Sequence, residues 1–321
     1  MCNRMLRQPA APELAERMMM DAYLEVRSAL SSPSEMATTI KSQSRLIWIF
    51  LTSVLCFTAL FRCQIHAQTV PAGWVLYPTP KEGSFSIQCA NASVRPQRVS
   101  LSDNGQLEIQ QLPASYERDE YSKRQLPQGV KRQQGMVGRQ SLLKTPGGGW
   151  LLGFDAGEFG GGLWSADPSG NTHELSRENV RGLADTAQGV LVFVGLAHIT
   201  LDSGSVLIVP YAAKSNAEVK TLVKLDGAPE ALTRISSDTV LAVTTHGITE
   251  ISSSGSTKTL LHRDFSLLYP NSVVSTPDGT VYVGMRLFVL RFNPHAKDNA
   301  EQWLLPKSCE RFETTGCVCT G

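Results

Sequence analysis

A glycine-rich stretch with two acidic residues is the first place in the sequence where chemistry could occur. It runs from Gly153 to Gly170, GFDAGEFGGGLWSADPSG, and contains Asp155 and Glu158 close to a run of glycines. Such a stretch could cradle a phosphate, hold a metal ion through its carboxylates, or form the hairpin of a β-sheet. These three interpretations require different neighbouring sequence.

The named motifs do not fit this stretch, and the hairpin interpretation is therefore favoured. A P-loop needs a lysine followed by serine or threonine and then a helix, and Gly160 to Trp164 is followed by neither. A calcium loop needs more oxygen ligands than two carboxylates, so other segments would have to complete it. The sequence contains neither a nucleophile elbow nor a recognisable spacing of Ser, His and an acid, so it does not indicate a hydrolase. We expect Phe159, Leu163 and Trp164 to pack in the core.

The surrounding sequence repeats a pattern of short β-rich segments joined by turns. The most regular copy, Asn271 to Phe292, contains the turn signal Pro277-Asp-Gly279 between two β-branched runs. Similar copies cover residues 141–175, 180–209 and 231–261, and few helical signals follow residue 69. The second strands begin 40, 50 and 41 residues apart, at Trp150, Val190, Val240 and Val281.

This period is typical of propeller blades. The sequence therefore predicts an all-β fold, a β-propeller with five blades of antiparallel strands, or six as the alternative count. A two-sheet sandwich with the same turn spacing is the alternative fold. Residues 69–140 are expected to form a degenerate first blade with a polar insertion, residues 141–308 the propeller blades, and residues 309–321 a Cys-rich tail.

An apolar run near the N-terminus indicates export. Residues 46–61, LIWIFLTSVLCFTALF, follow Arg45 and precede Arg62, and the run is shorter than a membrane-spanning helix needs. Residues 36–68 are predicted to be a signal peptide, with a signal anchor as the alternative. Residues 1–35 would be an upstream extension or a misassigned start. We expect a periplasmic or secreted monomer without a stable membrane span, unless the signal stays uncleaved.

The number of cysteines and the net charge are compatible with an exported protein that does not bind nucleic acid. Four cysteines follow the signal, which allows three disulfide pairings in an oxidising compartment. A bridge between the first of them and the tail would close the ring covalently. The net charge of +1 gives no basic excess for binding nucleic acid. The four predicted disulfide cysteines are Cys89, Cys309, Cys317 and Cys319.

The propeller interpretation brings scattered residues to one face. Because strands alternate in direction, the hairpins between second and third strands lie on the same face as the connections between blades. Titratable and polar residues recur there, although exposed turns are polar in most proteins. The candidate binding residues are Asp155, Glu158, His198 and His246, Arg286, Glu230 and Asn271.

Residues 138–306 resemble the superfamily of six-bladed and related propellers that includes the NHL-repeat and gluconolactonase (regucalcin-like) proteins. The best local match is the segment from Pro270 to Gly284, PNSVVSTPDGTVYVG. The resemblance implies a metal site with Asn271 as a ligand, with Glu158 or Glu230 as the acidic ligand, and Ca²⁺ as the cofactor. The sequence departs from that pattern because it lacks the Glu-Gly-Pro motif and has Met285 where those enzymes tend to have Asp.

The incomplete catalytic pattern favours a binding protein over an enzyme. We expect an exported β-propeller, without a cofactor, that recognises a protein, a peptide or a glycan through one face. The first alternative is a metal-dependent hydrolase of the lactonase type that uses Asn271, Glu230, Asp155 and Glu158. The second alternative is an immunity-type or structural partner of an exported protein.

Overall fold

Antiparallel strands make up most of the described chain. The computed structural model describes residues 70–115, 125–211, 219–296 and 301–319. The predicted signal segment, residues 36–68, and the upstream residues 1–35 lie outside this part. No helix in the described ranges is long and apolar enough to cross a membrane.

Four-stranded antiparallel sheets form the middle of the described chain, and in each sheet the strands neighbour one another in chain order. The first sheet has β4 (Arg139–Lys144), β5 (Trp150–Asp155), β6 (Gly161–Ala166) and β7 (Thr172–Ser176), the second β8 (Val180–Thr186), β9 (Gly189–His198), β10 (Leu201–Pro210) and β11 (Lys220–Leu225), and the third β12 (Pro229–Arg234), β13 (Thr239–Thr244), β14 (Gly247–Ser252) and β15 (Thr257–His262).

The last sheet combines strands from both ends of the described chain. Its first four strands are β16 (Ser272–Ser275), β17 (Val281–Gly284), β18 (Val289–Phe292) and β19 (Gln302–Pro306). The early strand β1 (Trp74–Tyr77) pairs antiparallel with β19 and forms the outer edge of the sheet. A two-stranded hairpin, β2 (Gln97–Leu101) with β3 (Leu107–Gln111), completes the set of five antiparallel sheets in the described ranges.

The first strands of the sheets contact one another in order around a central axis. β4 contacts β8, β8 contacts β12, β12 contacts β16, and β16 contacts β2. Radial sheets whose inner strands neighbour one another make a β-propeller, so the predicted all-β propeller is confirmed. The hairpin of β2 and β3 lies within residues 69–140, which the sequence assigned to a degenerate first blade with a polar insertion.

A short helix was not expected from the sequence. It is α1 (Phe85–Ala92), and the Ser84 hydroxyl accepts a hydrogen bond from the backbone N–H of Ile87 at its start (3.5 Å). An eight-residue helix is marginal by itself. Here Ile87 and Cys89 are buried in the core of the last sheet. This packing stabilises the helix although the surrounding sequence favours strands.

Two disulfides fix the C-terminal tail. Cys89 of α1 bonds to Cys317, across 228 residues of chain, and Cys309 bonds to Cys319. The predicted disulfides are therefore present, and the pairing that the sequence left open is resolved. The Tyr77 hydroxyl also donates to Glu313 of the tail (2.5 Å), and burial together with this hydrogen bond raises the pKa of Tyr77 to about 12.

The core is divided among the interfaces between sheets. In the last sheet, Phe288 packs edge-on against Trp303 and Phe312. In the glycine-rich stretch from Gly153 to Gly170, Leu163 and Trp164 are buried as predicted. Phe159 is 83% exposed, so its predicted packing in the core is wrong. Residues Gly157–Phe159 form a single 3₁₀ turn between glycines with positive φ, which lifts the aromatic ring out of the sheet.

Candidate functional site

A cavity of about 530 Å³ opens on the face that carries the hairpins between second and third strands. We call this the cavity face. Five of the seven residues predicted from the sequence line it: Asp155, His198, Glu230, Asn271 and Arg286. The other two, Glu158 and His246, each contact a residue that lines the cavity, at 2.9 and 3.0 Å. The structure therefore brings all seven residues to one face.

Two β-bulges direct charged side chains into the cavity. The pairing of β8 with β9 skips Arg181, and the pairing of β12 with β13 skips Glu230. A bulge leaves one residue outside the alternation of the strand and redirects its side chain. Arg181 and Glu230 thus occupy equivalent positions at the starts of neighbouring inner strands.

These side chains belong to a network of four charges at the base of the cavity. Arg181 donates to Asp155 Oδ2 (2.9 Å), to Glu230 Oε2 and to the Pro229 carbonyl (3.0 Å). Arg139 Nη2 lies 3.3 Å from the same Asp155 oxygen. Asp155 also accepts the backbone N–H of Gly157 (3.0 Å) and is 1% exposed. Each of the two carboxylates is thus neutralised by an arginine.

Burial and charge pairing shift the pKa values of this network. Burial alone would lower the pKa of Arg181, but the carboxylates of Glu230 and Asp155 outweigh it, and the pKa is raised. Burial raises the pKa of Glu230, although Arg181 and Arg139 oppose the shift. The guanidinium of Arg181 therefore stays charged, and burial disfavours the negative charge of Glu230.

Two histidine–carboxylate pairs join neighbouring sheets at the rim. His198 Nε2, at the end of β9, lies 2.9 Å from Glu158 Oε2 of the preceding sheet. His246 Nε2, after β13, lies 3.0 Å from Asp202 Oδ2 of the preceding sheet. Asp202 Oδ1 also accepts hydrogen bonds from the Thr245 hydroxyl (2.9 Å) and the Ala228 N–H (2.8 Å). Each pair holds the hairpin of one sheet against that of the next.

Large apolar side chains stand exposed on the same rim. Phe159 is 83% exposed, Ile199 92% and Leu201 60%. On the other side of the cavity, Tyr269 is partly exposed, and the Arg286 guanidinium stacks over its ring at 3.6 Å. We call Phe159, Ile199 and Leu201 the apolar rim.

The backbone is strained at this face. Ile199, Tyr269 and Leu287 have φ of 53°, 51° and 68°. This left-handed region is unfavourable for residues with a side chain, and most of all for a β-branched one. Such strain often accompanies functional sites.

The contacts of the predicted metal ligands do not fit a calcium site as the side chains stand. Glu230 is bound to Arg181, and Glu158 is bound to His198. The Asn271 Oδ1 atom, which would be the ligand, accepts a hydrogen bond from the Ser272 hydroxyl (3.0 Å). Among the described residues, no group of three or more His, Cys, Asp or Glu is placed to hold a metal ion. Calcium binding by these residues remains a prediction from the sequence.

The sequence reasoning missed Arg139, Arg181 and Asp202, which carry much of the charge at this site. A signal for Arg181 was present, since Val180-Arg-Gly182 and Pro229-Glu-Ala231 both place one charged residue between two apolar or small ones at the start of an inner strand. Because Glu230 was already a candidate, an alignment of the two repeats would have identified Arg181 at the equivalent position. Asp202 lies inside a long strand, where a carboxylate gives no distinct signal.

Comparisons with known proteins found solved structures of similar fold but no matching family. No protein-family model matches the sequence, and no curated protein matches it significantly. Among solved structures, a streptogramin B lyase is 10% identical, with 66% of this chain and 68% of that chain covered and a TM-score of 0.35. A calcium-binding regucalcin from Agrobacterium tumefaciens is 12% identical, with 65% and 74% covered and a TM-score of 0.37.

A gluconolactonase from Xanthomonas campestris is 11% identical, with 65% of this chain and 64% of that chain covered and a TM-score of 0.34. The match thus spans about two thirds of the length of the lyase and of the lactonase. The propeller assignment for the present chain rests on its own sheet topology.

Proposed function

We propose that this protein is an exported β-propeller that binds a protein or peptide partner through the cavity face. The observation that carries the proposal is the apolar rim, in which three large side chains stand in solvent on two neighbouring hairpins beside a cavity. Exposed apolar groups cluster at protein interaction sites, because water is released from them on binding.

The hairpins of the rim are held in place before a partner binds. The contact between His198 and Glu158 joins them, and the left-handed backbone of Ile199 projects its side chain outward. Preorganisation lowers the entropy cost of association. Ile199 and Leu201 have no groups that could bind the hydroxyls of a glycan, which is why we favour a protein or peptide.

The charge network supports binding rather than hydrolysis. Asp155 and Glu230 would be the metal ligands or acids of a lactonase-type reaction, but arginines already neutralise both. Export is supported by the predicted signal segment and by the two disulfides, since disulfides persist in oxidising compartments.

The proposal is tested by cross-linking from the rim. A photoreactive p-benzoyl-phenylalanine replaces Ile199 in the full chain, expressed in the organism that makes it, and the matched control carries the same residue at Ile235. Ile235 is also exposed, but it lies in the turn between β12 and β13 on the opposite face. We expect an adduct with an exported protein or peptide from the Ile199 position and none from Ile235.

The triple substitution Phe159→Ser, Ile199→Ser and Leu201→Ser sharpens this test. It should lower the affinity for the cross-linked partner at least about ten-fold, because three apolar groups no longer leave water. Equal adducts from both positions, or unchanged affinity of the triple variant, would overturn the proposal. Stoichiometric calcium in the purified protein, with loss of thermal stability in a chelator, would favour the lactonase alternative instead.

A further inference from the structure

We propose that the cavity binds a carboxylate of the partner, namely its C-terminal carboxylate, through Arg139 and Asn271. This inference rests on the proposed function and adds the chemical group that the cavity recognises. The proposal follows from hydrogen-bond donors that line the cavity and have no acceptor in the described part of the protein.

Arg139 is the first of these donors. A guanidinium has five N–H groups. Arg139 uses one of them, from Nη2 to Asp155 Oδ2 at 3.3 Å, and its guanidinium makes no other hydrogen bond to a described residue. Its side chain is 27% exposed and lines the cavity. The remaining N–H groups can therefore donate to a ligand.

The positive charge of Arg139 is only partly compensated. The Asp155 oxygen that it contacts lies closer to Arg181, at 2.9 Å, so the carboxylate is shared between two arginines. Glu230, the other carboxylate at the base, is bound by Arg181.

Asn271 supplies the second donor. It lines the same cavity, and its Nδ2 atom is buried without a hydrogen-bond partner in the described chain. The Ser272 hydroxyl donates to Oδ1, which fixes the amide with Nδ2 as the donor. A buried donor that lacks an acceptor is costly, and a ligand oxygen would remove this cost.

The wall of the cavity defines what accompanies the carboxylate. Phe265, Leu267, Tyr269 and Pro270 line the cavity next to Asn271. A cationic donor, an amide donor and an apolar wall together suit a carboxylate beside an apolar side chain. The last residue of a peptide presents both groups on one carbon atom, whereas an acidic side chain presents its carboxylate without an apolar group. Arg is well suited to carboxylates because two of its N–H groups can donate in parallel.

The test uses small probes that distinguish the two sources of carboxylate. N-acetyl-L-leucine represents a peptide C-terminus, N-acetyl-L-leucinamide lacks the charge, and the α-amide of N-acetyl-L-glutamic acid carries a side-chain carboxylate. Binding to the disulfide-bonded protein is measured by ligand-observed NMR and calorimetry. We expect N-acetyl-L-leucine to bind at least about ten-fold more tightly than either other probe.

Two variants test the assigned residues. Arg139→Gln leaves Asp155 paired with Arg181, and Asn271→Asp keeps the shape of the side chain while replacing the donor with a negative charge. Each should weaken N-acetyl-L-leucine at least about ten-fold. The control is Arg234→Gln, since Arg234 is exposed at the opposite end of an inner strand.

The outcomes separate this proposal from the proposed function. Equal binding of the acid and its amide, or unchanged binding by both cavity variants, would overturn the carboxylate site, and cross-linking from Ile199 would still support the partner. Tighter binding of the glutamic acid probe would overturn the C-terminal assignment.

Discussion

The two faces of the propeller are held together by contacts of very different range. The cavity face depends on pairs that are distant in sequence, such as Arg181 with Glu230, which are 49 residues apart. The opposite face, which we call the turn face, is made of the turns that join first to second strands and third to fourth strands. There many hydrogen bonds join residues within four positions of one another. Bonds between neighbouring sheets also occur on this face, from Ala187 N–H to the Ser237 carbonyl (3.0 Å) and from Arg234 to the Asp185 carbonyl (3.2 Å).

The turns of the turn face contain hydrogen bonds between their own residues. Asp167 accepts hydrogen bonds from the side-chain amide of Asn171 and from the backbone N–H groups of Asn171 and Ser169, and these bonds lower the pKa of Asp167. In the turn after β16, Thr276 and Thr280 both donate to Asp278. A glycine with positive φ follows in most of these turns. These local hydrogen bonds specify the turns, whereas the charge pairs of the cavity face join separate sheets.

The largest effect is expected from breaking the long-range charge network. Arg181→Met leaves Asp155 and Glu230 in the interior without their shared cation. Removing one partner of a buried ion pair costs about 3–5 kcal/mol of unfolding free energy. The control Arg234→Met, on the turn face, should change it by less than about 0.5 kcal/mol. Denaturant unfolding of both variants with intact disulfides measures the difference, and equal stabilities would remove the distinction between the faces.

The two disulfides extend the comparison to covalent links. Cys89 and Cys317 close 228 residues, whereas Cys309 and Cys319 close 10. Replacing the first pair with alanine should cost about 2–4 kcal/mol, and replacing the second about half as much, because a longer loop gains more entropy on unfolding. Thermal unfolding of the two double variants checks the order, which the reverse ranking would contradict.

The smallest effect is expected in a turn of the turn face. Gly105, between β2 and β3, has φ of +76°, and an added Cβ would meet nothing nearer than Pro277 at 4.0 Å. Gly105→Ala should therefore cost about 1–2 kcal/mol from backbone conformation alone. Gly147→Ala is the matched control, since Gly147 lacks positive φ and has open space around it. We expect its unfolding free energy to stay the same or rise slightly. Equal losses in the two variants would show that φ is not the cause.

This contrast explains what could be predicted from the sequence. The repeats were visible because local signals such as Pro277-Asp-Gly279 specify each turn, and the alternating strands specify the sheets. The burial of Leu163 and Trp164 followed from the same pattern. The bulge that redirects Arg181 leaves a trace only when the repeats are aligned. The pairing of Arg181 with Asp155 and Glu230 leaves none, because the partners come from different sheets.

The candidate site could be predicted as a set of positions, but not as a set of contacts. Alternation of strand direction was enough to bring His198, His246 and Arg286 to one face. It could not show that a 3₁₀ turn would expose Phe159, or that Asn271 would have an unpaired donor. These features depend on φ angles and side-chain packing that are set only when the sheets assemble.

The pairing of β1 with β19 also constrains the order in which the protein can fold. A ribosome makes β1 among the first described residues, but its partner strand exists only after residue 306 has been added. Until then the edge of β1 has no strand to pair with, and the cysteine of α1 has no tail to bond. Completion of the last sheet therefore requires synthesis through residue 306, and a chain released before residue 302 would keep two unsatisfied strand edges.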